Sequence, residues 1–303
     1  MRKRVPLVLR WILGLSLLAG GFLAAGATSA LAQAEALTRH TAPVVHASAT
    51  PTATASVTPT STPTPTPLPT PTHPDGPVTV VGLGDSVESG YACGCTSFVT
   101  TAAEQIAATQ QRQAVVHNEA FAGATTGDVL DQLADEGVQA DIKASDLVII
   151  NIGANDFDES LAYDPSCTPA ATSDCFADER ASMTANLTRI VTEVKALQTG
   201  PGAQVIVLGY WNVFRDGDVG RAQGPTYVKV SAELTQWLNS ATQEIAAQND
   251  IWYADAATPF LGSDGSRDAT PDLVSDGDHP NADGHALLAQ AVVNALGPAV
   301  ATV

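Results

Sequence analysis

Basic residues are scarce in this chain of 303 residues, which has 14 Lys and Arg against 32 Asp and Glu. Four of the basic residues stand within the first ten positions, and residues 1–34 contain no acidic residue. The rest of the chain therefore has ten basic residues and a net charge of −22. A surface this acidic repels phosphate backbones and anionic bilayers, which argues against nucleic acid and anionic membrane surfaces as partners.

Long apolar runs are also rare, and the clearest one extends from Trp11 to Ala27 behind a positively charged start. Small residues ending in ALAQA follow it, which completes the pattern of a secretory signal peptide over residues 1–34. Cleavage after Ala32 or Ala34 fits this pattern. The alternative is an uncleaved single-span anchor, for which the run is slightly short. We expect an extracellular protein with no stable membrane insertion after cleavage.

Cysteine is limited to Cys93, Cys95, Cys167 and Cys175. Export permits disulfides, and four cysteines allow three full pairings. The spacings C-x-C and C-x7-C differ from the C-x2-C pairs typical of zinc sites. The acidic runs also lack a regular calcium-loop pattern. The sequence therefore predicts neither a metal nor another cofactor.

Residues 35–76 consist mainly of Thr, Pro, Ala and Ser, a composition that cannot bury a core. They predict an extended, polyproline-like linker, interpreted either as a stalk that keeps the protein at the cell surface or only as a tail. Residues 77–303 follow, and their length suits one well-cored domain.

Short apolar runs alternate with helical patterns in this domain. The strand-like runs are VTVVGLG, QAVVHNEA, DLVIINIG, QVIVLGYW and IWYADA. Helical faces are predicted from Met183, Leu187, Ile190, Val191 and Val194, from Val230, Leu234, Trp237, Leu238, Ala241 and Ile245, and from Leu288, Val292, Ala295 and Leu296. Shorter helices are predicted near 97–110 and 127–136, and Asn281 is the predicted N-cap of the last helix. The alternation predicts a flavodoxin-like doubly wound α/β fold, with a five-stranded, mainly parallel sheet in a three-layer α/β/α arrangement.

Polar residues stand just past the predicted strands. Ser86 follows the first strand, Gly123 the second and Asn155 the third, while His279 precedes the last helix with Asp276 three positions earlier. Each residue alone has an ordinary structural interpretation, as a turn former, a helix cap or a surface histidine. Their order changes the interpretation, because sites in such folds lie at the carboxyl ends of the strands.

This set of residues is chemically complete for acyl transfer. His279 can take the proton of the Ser86 hydroxyl, and Asp276 can hold the imidazole in the required tautomer. The backbone N–H groups of Ser86 and Gly123 and the side-chain amide of Asn155 can donate to an oxyanion.

Four segments of the sequence resemble, in order, the four blocks of the SGNH hydrolases, also called GDSL lipases/esterases. They are GLGDSVESG, FAGATT, NIGANDF and DGDHPNADGHALLA. The resemblance covers most of residues 77–303. It implies the roles just given for Ser86, Gly123, Asn155 and His279, with Asp276 completing the triad. The G-x-S-x-G elbow of the α/β-hydrolases is absent.

The resemblance is strongest to the secreted bacterial branch of the family, although Val87 stands where leucine is usual. In that branch a cysteine pair often follows the Asn-Asp block, which is the place of Cys167 and Cys175. The resemblance, together with export and the short span between them, predicts a Cys167–Cys175 disulfide. In that branch a cysteine beside the glycine block can pair with a cysteine near the serine. This chain has no cysteine beside FAGATT, so Cys93 and Cys95 either bond each other or stay reduced.

Four further residues stand beside the predicted site. Asp85 and Asp156 are predicted to organise loops as hydrogen-bond acceptors. Trp211 and Phe214 follow the fourth strand. They are interpreted as lining the acyl or alcohol pocket, with capping of the core as the alternative.

The sequence therefore predicts a monomeric, secreted serine esterase acting on small-molecule or polysaccharide esters. Short acyl or acetyl groups are favoured, since no apolar helix forms an obvious interfacial lid. The alternative is a non-catalytic carbohydrate- or surface-binding module that retains the SGNH fold.

Overall fold

The computed structural model describes residues 76–168 and 174–303, so the predicted signal peptide and nearly all of the predicted linker lie outside the described residues. Five strands form one sheet in the order β2-β1-β3-β4-β5, and every neighbouring pair is parallel. The strands are β1 (Val78–Gly84), β2 (Ala114–Asn118), β3 (Leu147–Asn151), β4 (Gln204–Leu208) and β5 (Trp252–Ala254). The predicted doubly wound fold is confirmed.

Helices connect the strands and cover both faces of the sheet. They are α1 (Ser86–Ser89), α2 (Phe98–Thr109), α3 (Thr126–Gln132), α4 (Glu136–Ala144), α5 (Ala177–Leu197), α6 (Gly217–Ala222), α7 (Pro225–Gln248), α8 (Ala257–Leu261) and α9 (Ala282–Leu296). Helix α2 packs against α9 on one face, and α5 packs against α3, α4 and α7 on the other. A parallel sheet buried between two helical layers explains why every residue of β3 is buried.

The carboxyl ends of β1 and β3 are level, because Gly84 pairs with Asn151 in the register of the two strands. Since β2 borders β1 and β4 borders β3, the segments that leave these four strands meet along one edge of the sheet. This edge is where the candidate functional residues lie.

The predicted helical faces are confirmed where the apolar period is regular. The five apolar residues predicted for α5 are the buried residues of that helix. Asn281 caps α9 by accepting the backbone N–H groups of Asp283 and Gly284 at 2.9 and 3.1 Å. The stretch Ala282–Ala301 is apolar and long enough to span a bilayer, but α9 buries one face against α2 and β5, as a core helix does.

The helix predicted near residues 127–136 is wrong in its extent. The chain forms α3 and then begins a second helix, α4, at Glu136. The cause is Asp135, whose carboxylate accepts the N–H groups of Gly137 and Val138 at 2.7 and 3.2 Å and so starts a new helix.

Candidate active site

Ser86 is the first residue of α1, directly past the end of β1. Asp85 caps this short helix, and its Oδ1 accepts the Val87 N–H at 2.9 Å. The Ser86 side chain is half-buried, and its Oγ makes no hydrogen bond within the described residues. The serine therefore stands at a fixed backbone position with its hydroxyl free to react.

The approach to the serine is crowded, which explains the glycine that ends β1. A Cβ on Gly84 would lie 2.3 Å from the Asn151 carbonyl oxygen and 2.3 Å from Glu88 Oε2. Glu88 is fully buried and accepts the Asn151 N–H at 2.6 Å. Burial raises the pKa of Glu88 well above its ordinary value. This contact ties the helix that carries Ser86 to the end of β3, and no pattern in the sequence indicates it.

His279 is oriented by Asp276. Its Nδ1 lies 2.8 Å from Asp276 Oδ2, whereas Asp278 Oδ2 lies 3.9 Å away. Asp276 Oδ1 also accepts the backbone N–H groups of Asp278 and His279 at 2.9 and 3.0 Å. Gly277, at φ +74°, supplies the left-handed residue that lets the chain curl back on itself.

The hydrogen bonds to Asp276 keep it ionised. Partial burial acts to raise the pKa of Asp276, but the two backbone N–H groups and the imidazole outweigh it, so the pKa lies below its ordinary value. An ionised carboxylate on Nδ1 leaves Nε2 of His279 as the nitrogen that can accept a proton.

Tyr91 joins the two sides of the site and was missed by the sequence analysis. Its ring meets the His279 ring edge-on, with 5.0 Å between the ring centroids. Its backbone N–H donates to the Ser86 carbonyl at 2.9 Å, and its side chain is largely exposed. Tyr91 follows Gly90, the left-handed C-cap of α1, which turns the chain back over the site. Gly90 is the one nearby residue in the sequence that indicates where Tyr91 lies.

Gly123 and Asn155 lie on neighbouring loops that are bonded to each other. Gly123 has φ +83° in the exposed turn after β2. Asn155 lies in a 3-10 turn after β3, and its Nδ2 donates to the Ala124 carbonyl at 3.0 Å. An amide nitrogen carries two N–H groups, so one remains for another acceptor.

Asp156 holds these same two loops together. Its carboxylate accepts the Thr126 backbone N–H at 2.9 Å and the Thr126 hydroxyl at 2.5 Å. Asn186 of α5 donates to the same hydroxyl at 3.1 Å. Burial raises the pKa of Asp156, although the Thr126 hydrogen bonds oppose it. The geometry matches the predicted role of a loop-organising acceptor.

Asp85 is fully buried and receives a short hydrogen bond from the Tyr210 hydroxyl as well as the Val87 N–H. Burial raises the pKa of Asp85 to about 7, against the lowering effect of these hydrogen bonds. Tyr210 follows β4, so this pair links α1 to the segment after β4, which lies two strands away from β1 in the sheet. The structure thus gives Asp85 the acceptor role predicted for it, through a partner that the sequence did not indicate.

Trp211 and Phe214 are buried to 3% and 6% exposure, and the structure does not support the prediction that they line a substrate pocket. Trp211 stacks on Phe260 with centroids 4.3 Å apart, and Phe214 packs against Tyr227. Trp211 borders a cavity of about 570 Å³ whose lining contains none of the five predicted catalytic and oxyanion-hole residues. Both aromatic rings turn inward after β4 and cap the core, which was the alternative interpretation.

Both cysteine pairs form disulfides. Cys167 is bonded to Cys175, as predicted, and Cys93 is bonded to Cys95, which the sequence had left open. The sulfurs of Cys93 and Cys95 and one ring nitrogen of His285 lie within 4.8 Å of one another. Because the two sulfurs are bonded to each other, they are not thiolate ligands in this state.

Comparison with known proteins places this geometry in a family. The family model described as GDSL-like lipase/acylhydrolase matches residues 83–287, which include all five predicted catalytic and oxyanion-hole residues. The uncharacterized protein YpmR of Bacillus subtilis is 25% identical over 227 residues, covering 72% of this chain and 81% of YpmR.

Solved structures share the fold at low sequence identity. The lipase Lip_vut3 from a goat rumen metagenome has a TM-score of 0.58 and 16% identity, with 72% of this chain and 97% of that chain covered. Axe2, an acetylxylan esterase from Geobacillus stearothermophilus, has a TM-score of 0.52 and 22% identity, with coverages of 73% and 95%. The match of the family model over most of the described chain shows that this protein belongs to the GDSL-like lipase/acylhydrolase family and is a carboxylic ester hydrolase.

Proposed function

We propose that this protein is a secreted serine esterase that cleaves short acyl esters through an acyl-enzyme on Ser86. The observation that carries the proposal is the pairing of His279 Nδ1 with Asp276 Oδ2 at 2.8 Å, on the sheet edge where the Ser86 hydroxyl has no hydrogen-bond partner among the described residues. A histidine held in this way by a carboxylate, beside a free serine hydroxyl, is the arrangement needed for general-base activation of a nucleophile.

In the acylation step, Ser86 Oγ attacks the ester carbonyl carbon while His279 Nε2 takes the hydroxyl proton. The tetrahedral intermediate collapses, the alcohol leaves with that proton, and the acyl group stays on Ser86. Water then attacks the acyl-enzyme with His279 again as the base. The product acid leaves and the Ser86 hydroxyl is restored. Ser86 Oγ makes no hydrogen bond to any residue that the structure describes, and a bond between a nucleophile and its base often forms only in the substrate complex.

The negative oxygen of the intermediate needs donors that are already in place. We assign this role to the backbone N–H groups of Ser86 and Gly123 and to the second N–H of Asn155. The bond from Asn155 to the Ala124 carbonyl supports this assignment, because it fixes the amide beside the loop that carries Gly123.

Two facts support short acyl groups on the substrate. Gly123 and Asn155 are exposed, so the proposed oxyanion site is open to solvent, and Trp211 and Phe214 are buried in the core, where they offer no surface to a long chain. Axe2, which shares the fold, is an acetylxylan esterase. Export is proposed from residues 1–34, and N-terminal sequencing of the mature protein from the culture medium tests it.

The experiment for the catalytic proposal uses a fluorophosphonate probe, which labels activated serines. We expect covalent labelling at Ser86, located by peptide mass spectrometry, and none in Ser86→Ala. A series of p-nitrophenyl esters from acetate to laurate then gives the acyl preference, with acetate or butyrate expected to be best. A folded protein that neither takes the probe nor hydrolyses any ester of the series would be the non-catalytic binding module instead.

A further inference from the structure

The segment between α1 and α2, residues 90–97, is here called the cysteine loop. Its disulfide joins Cys93 to Cys95 with only Gly94 between them. Ala92 and Gly94 have left-handed backbone, at φ +61° and +62°, and a Cβ on Gly94 would meet no atom within 4 Å. The two cysteines are half-buried, whereas their neighbours in the loop are exposed. The disulfide is thus accessible to a small reagent.

His285 of α9 lies beneath this loop with one hydrogen-bonding group unused. Its side chain is buried, and Nδ1 accepts the Phe98 N–H at 3.2 Å. Burial lowers the pKa of His285 to about 4, so the ring is neutral near pH 7. A neutral imidazole that accepts at Nδ1 carries its proton on Nε2. Nε2 is buried, and no residue in the described part of the chain is its hydrogen-bond partner.

The sulfurs of Cys93 and Cys95 lie beside this ring, so a reduced cysteine that turns toward Nε2 could accept its proton in a hydrogen bond. One His285 ring nitrogen lies within 4.8 Å of both sulfurs. A thiolate is a much better acceptor than a disulfide sulfur, so the reduced form gains an interaction that the oxidised form lacks. A stabilised leaving thiolate also speeds thiol–disulfide exchange. The chain entropy that a disulfide removes from the unfolded state grows with loop length, so this short loop stabilises the oxidised form least.

The cysteine loop also contacts both proposed catalytic residues. Tyr91 stands two residues before Cys93, with its ring on His279 and its N–H on the Ser86 carbonyl. The Cys93 N–H in turn donates to the Gly90 carbonyl at 3.4 Å. The disulfide therefore adjoins the turn that places Tyr91.

We propose that Cys93–Cys95 is a thiol–disulfide exchange site for a dithiol reductant, and that its reduction releases Tyr91 from His279. One thiolate of the dithiol attacks Cys93 or Cys95, the S–S bond breaks, and the other cysteine leaves as a thiolate that accepts the His285 Nε2 proton in a hydrogen bond. The second thiolate of the dithiol then resolves the mixed disulfide. Two electrons pass from the dithiol, which becomes a cyclic disulfide and gives up two protons, to the cysteine pair. The attacked cysteine takes up one proton, and the other cysteine stays a thiolate beside His285.

Cys167–Cys175 provides the matched control in the same molecule. The folded protein is equilibrated in dithiothreitol redox buffers of graded ratio, alkylated, and both pairs are quantified by peptide mass spectrometry. We expect Cys93–Cys95 to be half-reduced at a reductant ratio at least about tenfold lower, equivalent to ~30 mV for a two-electron couple. Reduction of both pairs at the same ratio would overturn the proposal.

The variant His285→Asn tests the donor, because the Asn Oδ1 can still accept the Phe98 N–H while the shorter side chain places no donor at the position of Nε2. In this variant, the reductant ratio at which Cys93–Cys95 is half-reduced should move about threefold or more toward the ratio for Cys167–Cys175. Circular dichroism and an unchanged Cys167–Cys175 midpoint show that the variant is folded. An unchanged Cys93–Cys95 midpoint in the folded variant would remove His285 from the site.

A second experiment measures esterase activity, and it rests on the proposed esterase function. Its result is interpreted separately from the thiol measurements. At a dithiothreitol ratio that reduces only Cys93–Cys95, kcat for p-nitrophenyl acetate should fall several-fold. In Tyr91→Ala, kcat should already be low, and reduction should change it no further. Unaltered kcat in the reduced wild type would disprove the link to Tyr91. A protein with no esterase activity would refute the proposed function while the thiol measurements still decide the exchange site.

Discussion

Asp276 Oδ2 lies 2.8 Å from His279 Nδ1, and the same carboxylate accepts the backbone N–H of His279 at 3.0 Å. The carboxylate therefore fixes both the ring and the peptide that carries it. Asp278 is closer in sequence, but its Oδ2 lies 3.9 Å from Nδ1, beyond hydrogen-bond distance. The two aspartates thus offer a matched pair for testing which one orients the base.

Asp276→Asn should lower kcat by about 10²–10⁴, because an amide can present its N–H to Nδ1 and stabilise the wrong tautomer. The amide oxygen can still accept the two backbone N–H groups, so the loop should keep its shape. Asp278 is half-buried, and its carboxylate has no hydrogen bond among the described residues, so Asp278→Asn should change kcat by less than about twofold. Initial rates with p-nitrophenyl acetate across pH check both variants. Loss of activity in Asp278→Asn alone would reverse the assignment.

Asn155→Ala should lower kcat by about 10²–10³ with little change in KM, because the amide is aimed at charge that exists mainly in the transition state. The matched control is Asn294→Ala, which removes an exposed amide on α9 whose one side-chain partner among the described residues is Gln290. Steady-state kinetics on one ester give both constants. A raised KM with normal kcat would move Asn155 out of the oxyanion hole and into ground-state binding.

Removal of the Cys167–Cys175 disulfide should lower the free energy of unfolding by about 2–3 kcal/mol, the loop-entropy value for so short a loop. In a domain of this size, Tm should then fall by roughly 5–10 °C. The double variant Cys167→Ala/Cys175→Ala is compared with wild type by urea unfolding followed through Trp fluorescence. Equal midpoints would mean that the loop is held by its packing alone.

The sequence predicted the elements whose pattern is local and regular. The apolar period of α5 and the cap at Asn281 are confirmed, because each depends on neighbouring residues. The five-stranded parallel sheet is also confirmed, because strands that alternate with helices along the chain leave few other arrangements. The positions of Ser86 after the first strand and of His279 before the last helix predicted that both lie on one sheet edge, because sites in such folds lie at the carboxyl ends of the strands.

Contacts between distant residues could not be predicted in this way. Tyr210 reaches Asp85 across 125 positions, and Tyr91 meets His279 only because Gly90 turns the chain back over the site. Trp211 and Phe214 were placed in the pocket because they follow a strand, but packing against Phe260 and Tyr227 decided their direction. The position of a residue just after a strand therefore predicts which edge of the sheet it lies on, but it does not predict the direction of its side chain.

The buried carboxyl of Asp85 should make the fold less stable as pH rises. Its pKa is raised from 3.8 to about 7 in the folded protein, mainly by burial. Between these values the folded state binds a proton that the unfolded state has lost, so the free energy of unfolding falls as pH increases. Below pH ~4 Asp85 does not reduce the free energy of unfolding. Above pH ~7 it lowers the free energy of unfolding by up to about 4 kcal/mol.

Asp85→Asn is the variant that tests this, because Asn is always neutral and can still accept the Val87 N–H that caps α1. Its Nδ2 can donate to the Tyr210 hydroxyl, which then acts as the acceptor in place of the present O–H donor. Tm measured from pH ~4 to pH ~8 should therefore fall less steeply in Asp85→Asn than in wild type. Some slope should remain, since burial raises the pKa of Glu88 in the same direction. Parallel Tm curves for the two proteins would show that Asp85 is already ionised in the fold at low pH. The Tyr210 hydroxyl would then donate to a carboxylate throughout the range.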